Sequence, residues 1–441
     1  MASSNSRQVV ITGMGVVTSI GDNVTAFDLA LRNGCSGVTR LSTFQRDLPV
    51  AIGAELKDFD AAAVLARSGA GEGVCVRARR VLRNAPLPVR AGVCAAAEAF
   101  GAAGLTALEP AAIALVIGGN NLHPAYSFEN FQKYVAQPEY IDPRYALSSL
   151  DTSVLAAVSE VLGIKGIGLN VGGASASGNL AVIQGCSLVR LGQADACMCI
   201  GALCHLSPLE FHAFAAIGAL NAERFQDQPQ RASRPFDVQH AGFVYGQGSA
   251  CMVLESVDTA EERGAAILGK ISGSSIVLDA NSSANPDICG EIRAMKNALR
   301  DAGIAASSIQ YVNAHGTSSA LGDSAECSAL KHVFAGSLDS VYVNSTKSLI
   351  GHTLTAAGTI ELVATVLQMN GGYCHPTLNL ETPIDDTLHF VGPHRIDAEI
   401  EYAMSNSFAF GGINSSVIVE RFHESRNYGS QSIPGKSVSG R

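Results

Sequence analysis

The stretch GLNVGGASASGNLAVIQG, residues 168–185, reads as a strand that ends at Val171, a tight glycine turn, and a helix that begins near Ser175. Strand, turn and helix in such short order belong to an α/β fold, in which helices cover a sheet. Unpaired N–H groups at a helix start favour negative charge, by about 0.3–1 kcal/mol at an exposed site. The turn therefore suits a nucleophile or an oxyanion hole. On this segment alone an N-cap serine is an equal reading, because serine is preferred at that position anyway.

Working outward, short apolar runs at 113–117, 196–200 and 250–254 read as further strands, and the Ala-rich stretch 91–103 reads as a helix. The run QVVIT at 8–12 reads as a buried strand that leaves into a tight turn at Gly13. The following GMGVVT is no dinucleotide loop, since Thr18 stands at its third glycine position. After the charged segment 258–263, taken as a boundary, the pattern starts again. Strands are expected at 267–271, 309–312, 341–344 and 416–419, with a helix over about 356–369. Residues 8–262 and 263–422 then form two halves, each a mixed sheet with covering helices. Residues 423–441, rich in Ser and Gly without apolar period, read as a flexible tail.

The chain's 441 residues are 47% hydrophobic and 16% charged, the balance of a compact enzyme rather than a disordered chain. A formal charge of −9 argues against nucleic acid or anionic lipid as a partner. One local basic run, Arg77, Arg79, Arg80, Arg83 and Arg90, reads either as a solvated helix face or as a dock for an acidic partner. Eleven cysteines without a CxxC pair exclude a zinc motif and fit a reducing cytoplasm. No apolar run approaches the length of a membrane span.

Three more segments carry chemistry. In YVNAHGTSSALGDSAE (311–326) a strand delivers His315 into a loop of small residues that includes Thr317 and Ser319, and Asp323 and Glu326 open the next helix. In VNSTKSLIGHTLTAAGTIE (343–361) another strand ends before Lys347 and His352, and Glu361 follows inside an apolar helix. A lone histidine is usually structural. Two at strand ends among glycines suit acyl or enolate chemistry, because imidazole donates to a developing oxyanion or exchanges a proton near neutral pH. In SNSFAFGGINSSVIVE (405–420) Phe408 and Phe410 are placed on a glycine-rich loop, either as a hydrophobic staple or as a gate over a pocket.

Taken in order with VVITGMGVVTSIGDN (9–23) and SRPFDVQHAGFVYGQG (233–248), these segments resemble the β-ketoacyl-acyl-carrier-protein synthases, from residue 8 to about 421. The resemblance implies a thiolase fold, two αβαβα halves stacked as a five-layered αβαβα sandwich. It also implies a homodimer and thioester substrates carried on the phosphopantetheine arm of a partner acyl carrier protein, with no metal or tightly bound cofactor. By resemblance, His315 and His352 hydrogen-bond the thioester carbonyl and stabilise an enolate, Lys347 and Glu361 hold His352, and Thr317 and Ser319 face the malonate. The amides of Ser175 and Phe410 make the oxyanion hole.

The chain departs from that family where it matters most. The family's Thr-Ala-Cys-Ala-Ser/Thr-Gly is here Gly173-Ala174-Ser175-Ala176-Ser177-Gly178, so serine replaces the cysteine nucleophile. Gln247, Ser319, Ala409 and Ile413 are lesser departures, and together with Gly173 they mark a naturally diverged site. A thiol becomes thiolate easily beside a helix start, whereas a serine needs an aligned general base. Acyl loading should then be slow or absent, while decarboxylation of a malonyl thioester needs only the histidines and a dry pocket. The chain is thus similar to the free-standing serine-bearing ketosynthases of polyketide β-branching cassettes, which make acetyl-carrier protein from malonyl-carrier protein. The other readings are a condensing enzyme acylated on Ser175, a noncatalytic partner like a chain-length factor, and an ordinary synthase trapped by an engineered Cys→Ser change.

Overall fold

The computed structural model describes residues 7–42, 48–221 and 224–423, so the expected tail beyond 423 lies outside the described residues. Ten strands form the main sheet. Five come from the first half: β1 (Val9–Thr18), β2 (Ile113–Gly118), β3 (Gly168–Val171), β4 (Ala196–Gly201) and β5 (Gly248–Ser256). Five come from the second: β6 (Gly269–Leu278), β7 (Tyr311–Asn313), β8 (Tyr342–Asn344), β9 (Tyr402–Ala409) and β10 (Ile413–Glu420).

The order β3-β2-β4-β5-β1 in the first half recurs as β8-β7-β9-β10-β6 in the second. The directions recur too. Strand β2 runs parallel to β3 and β4, β7 runs parallel to β8 and β9, and the remaining neighbours are antiparallel. The halves are stitched where β1 meets β6, Val9 opposite Ile271 and Ile11 opposite Gly269. Parallel strands need crossover helices, and these supply the layers. Helices α1 (Leu87–Ala103) and α2 (Thr152–Leu162) cover the outer face of the first half, α3 (Ser177–Arg190) lies inside, α4 (Ile288–Ala302) and α5 (Ala320–Val333) cover the second half, and α6 (Ala357–Gly371) joins α3 between the two halves of the sheet. The result is the five-layered αβαβα sandwich of the thiolase fold.

Nearly every side chain of α6 is buried, which is why its sequence is apolar all round rather than striped. At their N-terminal ends α3 and α6 touch backbone to backbone. A Cβ on Gly178 would lie 2.5 Å from the Thr359 amide nitrogen, and one on Gly358 would lie 2.6 Å from that of Asn179. No side chain fits there. That close approach brings together the two loops that enter these helices, and the chemistry resides in those loops.

One local expectation fails. Gly13 makes no turn, for β1 runs unbroken from Val9 to Thr18 with a register shift between Ile11 and Gly13. Its glycines, Gly13 and Gly15, clear the backbone of α1, where a Cβ would meet Ala99 O at 2.6 Å and Ala95 O at 2.1 Å. The segment 258–263 forms part of a short helix, Val257–Glu262. Of the arginine run, Arg77 donates to Val161 O, Arg80 pairs with Glu160, and the Arg90 guanidinium lies over Phe59, so much of its charge is engaged within the fold.

Candidate active site

Ser175 sits in a 3₁₀ turn, Ala174–Ala176, that leads from β3 into α3. Ala174 there has φ 45°, a left-handed conformation that an alanine adopts only under constraint. The equivalent loop between β8 and α6 carries Lys347 and His352, and the loop after β7 carries His315. The repeated topology thus converges three of the four motifs on one point.

His352 is buried, and its Nε2 lies 2.9 Å from Ser175 Oγ. Its Nδ1 accepts the backbone N–H of Leu354 at 3.2 Å. Burial, reinforced by the nearby Lys347, holds this imidazole well below its ordinary 6.5 and keeps it neutral. A neutral ring that accepts at Nδ1 carries its proton on Nε2. His352 therefore donates to Ser175 Oγ, and the serine has no base in this ring.

His315 is arranged alike. Lys347 Nζ donates to its Nδ1 at 3.3 Å, and burial, then Lys347, then His352 push its pKa well below 6.5. Its Nε2 therefore bears the proton too. The two rings stand 5.5 Å apart, nearly perpendicular, so two N–H groups face one cleft. Here the roles differ from the expectation, since Lys347 holds His315 rather than His352. Its ammonium also pairs with the buried Glu361, whose carboxyl burial raises to about 7 against the pull of that lysine.

The loop of His315 hangs on two buried carboxylates. Glu326 accepts the amides of His315 (2.8 Å) and Gly316 (2.7 Å), and Asp323 accepts those of Thr317 (3.0 Å) and Ser318 (3.1 Å). Both acids lie near the start of α5, as expected, but they point back at the loop. Burial raises Glu326 to about 7, in opposition to its two amide donors. Thr317 and Ser319, hydroxyls 2.8 Å apart, line the cleft beside His315.

Phe408 and Phe410 part company. The segment read as a loop is strand β9 as far as Ala409, so Phe408 is 6% exposed with its ring 6.0 Å from that of His315. Phe410, at the turn before Gly411 and Gly412, is 41% exposed and faces Phe214 at 6.5 Å. Its alternation with Phe408 carried no strand signal because glycines follow at once. The cleft that unites Ser175, His315, His352, Thr317, Ser319, Phe408 and Phe410 has a volume of about 960 Å³. Motif reading missed the Phe243 ring, set edge-on to His352 at 5.4 Å, and the wall from Asn120 to Asp151. Nothing but tertiary proximity marks them. Among the described residues no cluster of His, Cys, Asp or Glu is fit to hold a metal, and no helix is long and apolar enough to cross a membrane.

Comparison with known proteins gives a consistent result. The N-terminal domain family of β-ketoacyl synthases matches residues 6–260, and the C-terminal domain family matches 268–381. The chain is 37% identical over 426 residues to the polyketide biosynthesis malonyl-ACP decarboxylase PksF of Bacillus subtilis, covering 96% of this chain and 99% of that one. It is 34% identical over 422 residues to the 3-oxoacyl-[acyl-carrier-protein] synthase 2 of Coxiella burnetii, covering 94% and 99%. Among solved structures, the ishigamide ketosynthase/chain length factor superposes with a TM-score of 0.85 at 27% identity, covering 95% of this chain and all of that one. The type II ketosynthase AntDE, in complex with its acyl-carrier protein AntF, superposes at 0.81 and 26% identity with the same coverage.

Proposed function

The chain belongs to the β-ketoacyl synthase family, and we propose that within it this protein is a malonyl-carrier-protein decarboxylase that releases acetyl-carrier protein for polyketide biosynthesis, in a β-branching pathway. The observation that carries this reading is the bonding of His352, whose Nδ1 accepts Leu354 N and so leaves the ring proton on Nε2. That proton points at Ser175 Oγ, so the serine is solvated by a donor where a nucleophile requires an acceptor.

The same two N–H groups suit enolate chemistry. A malonyl thioester enters on the partner's phosphopantetheine arm, past Phe214 and Phe410, and its carbonyl oxygen takes hydrogen bonds from His315 and His352. The bond to the carboxylate breaks, carbon dioxide leaves, and the electron pair becomes the enolate whose oxygen the imidazoles hold. With no acyl group on Ser175, the enolate carbon takes a proton from water and yields the acetyl thioester. Ser175 and the Phe410 amide orient the thioester, while Thr317 and Ser319 face the carboxylate. The apolar rings of Phe243, beside His352, and Phe408, beside His315, limit water around it, and a dry site strengthens each dipole. Neutral histidines retained in both loops disfavour a noncatalytic chain-length partner.

The acyl carrier protein is the macromolecular substrate, and a second copy of this chain is the structural partner. Strand β3 ends the sheet with an open edge, and in the same half Phe131, Tyr134, Val135, Tyr140, Leu147 and Leu150 are each more than half exposed. An apolar surface of that kind marks an interface. Eleven free cysteines support a reducing, cytosolic setting.

Intact masses of protein and malonyl-carrier protein, followed with and without an acyl thioester, test the reading. Conversion to acetyl-carrier protein with no mass added to the enzyme supports decarboxylation. An acyl-Ser175 adduct with a β-ketoacyl product makes it a condensing enzyme instead, and no change in either mass leaves a noncatalytic role.

A further inference from the structure

Between the 3₁₀ turn at Pro229–Arg231 and strand β5 the chain runs without helix or strand, yet this strap touches both histidine loops. Arg234 N donates to Ser318 Oγ at 3.0 Å, and Gly242 N donates to Ser318 O at 2.8 Å. A few residues on, Val244 O accepts His352 N at 2.7 Å, and Gly246 N donates to His352 O at 2.9 Å. The strap therefore bonds to one imidazole loop and then to the other. Having no regular ladder of its own, it is held by scattered backbone bonds, such as Val238 N to Thr382 O and Ile384 N to Phe236 O, and by side-chain clasps.

The main clasp is Asp323, fully buried. Its Oδ1 takes the amides of Thr317 and Ser318, and its Oδ2 takes Phe236 N from the strap at 2.8 Å and His240 Nδ1, also from the strap, at 3.0 Å. Among the described residues neither lysine nor arginine pairs with this carboxylate, and His240, its side chain 10% exposed, is the side chain that donates to it from the strap. Ser318, to which the strap is pinned on both sides, is held at φ 70°, a conformation that persists only while its surroundings enforce it.

We propose that His240 is a positioning residue: through Asp323 it locks the strap to the His315 loop and so sets the separation of the two imidazoles. Without its N–H, Oδ2 of a buried carboxylate loses one of two donors, and the side chain can rotate away from Thr317 and Ser318. The donors to the thioester oxygen then drift apart. Misplacement on the order of 1 Å costs about 10²-fold in rate.

The role rests on the decarboxylase reading and is tested with the full-length enzyme and malonyl-carrier protein. His240→Ala is expected to lower kcat by roughly 10- to 100-fold with KM changed by less than about threefold, and His240→Arg, which restores an N–H donor, is expected to return kcat to within about threefold of wild type. Thermal midpoints are recorded for all three proteins. Rescue by arginine together with the kcat-selective loss supports the role. A His240→Ala enzyme as active as wild type overturns it, and so does a His240→Arg enzyme that melts like wild type but is no more active than the alanine variant. A wild type inert toward malonyl-carrier protein sinks the decarboxylase reading itself.

Discussion

Replacing Lys347 by methionine should separate what this lysine does for the fold from what it does for the site. Lys347 is 1% exposed and Glu361 is fully buried, and the two form an ion pair. Removing one partner of a buried pair costs about 3–5 kcal/mol, whereas replacing both by apolar groups of similar size is close to neutral. Glu361 Oε2 already lacks a hydrogen-bond partner, so the carboxyl left behind is poorly satisfied. Lys347→Met is therefore expected to lower the unfolding free energy by about 3–5 kcal/mol in urea titrations, and Lys347→Met with Glu361→Met to recover most of that. Activity should not follow stability. Both variants lose the donor to His315 Nδ1, so the ring is free to place its proton there and present a lone pair to the thioester oxygen. Decarboxylation should fall on the order of 10²–10³-fold in each, the scale of losing one oxyanion donor. A double variant that regains the rate would refute the assignment, because Lys347 would then act only by neutralising Glu361. A single variant as stable as wild type would show that the pair is not sustained in the folded protein.

Ser175→Ala should keep decarboxylation within about tenfold of wild type in a carbon dioxide release assay, since the hydroxyl only orients, whereas His352→Ala should lose about 10²–10³-fold; a dead Ser175→Ala enzyme argues for covalent catalysis. Glu98, which accepts the amides of Val16 and Val24, is raised by burial to about 7 from 4.5. The folded state then binds more protons than the unfolded one between those values, and wild type loses stability as pH rises through that window. Glu98→Gln should gain on wild type by up to about 3 kcal/mol from pH 4.5 to 7 and level off above, as read from urea midpoints across pH. Gly178→Ala forces a methyl group against the Thr359 amide and should cost about 1–3 kcal/mol together with activity, because the same helix contact aligns Ser175 with His352. Phe131→Asp should shift the particle mass measured by light scattering from dimer to monomer; an unchanged mass removes that face from the interface.

The motifs around Ser175, His315, Lys347 and His352 were legible because each lies at the end of a short apolar strand, and small residues crowd the turns that follow. Local composition determines such features. The duplicated halves were legible as well, through the recurring alternation of strand and helix on either side of 258–263. Contacts between distant residues are a different matter. Strand β9 exists because Tyr311, Val312 and Asn313 on one side and β10 on the other pair with it, which moves Phe408 from a supposed gate into the wall. Gly13 and Gly15 serve close packing against α1, a need that no neighbour in sequence announces.

The partnership of Lys347 with His315, rather than with His352 five residues away, follows from how β7 and β8 lie side by side in the sheet. The carboxylates of Asp323 and Glu326 turn back onto the loop because four successive amides there have no other acceptor once buried. By itself the sequence determined the family, the fold class and the missing thiol. Only the tertiary structure decided which nitrogen of each imidazole carries the proton, because that depends on the single donor each ring meets at Nδ1, one from a backbone amide and one from a lysine.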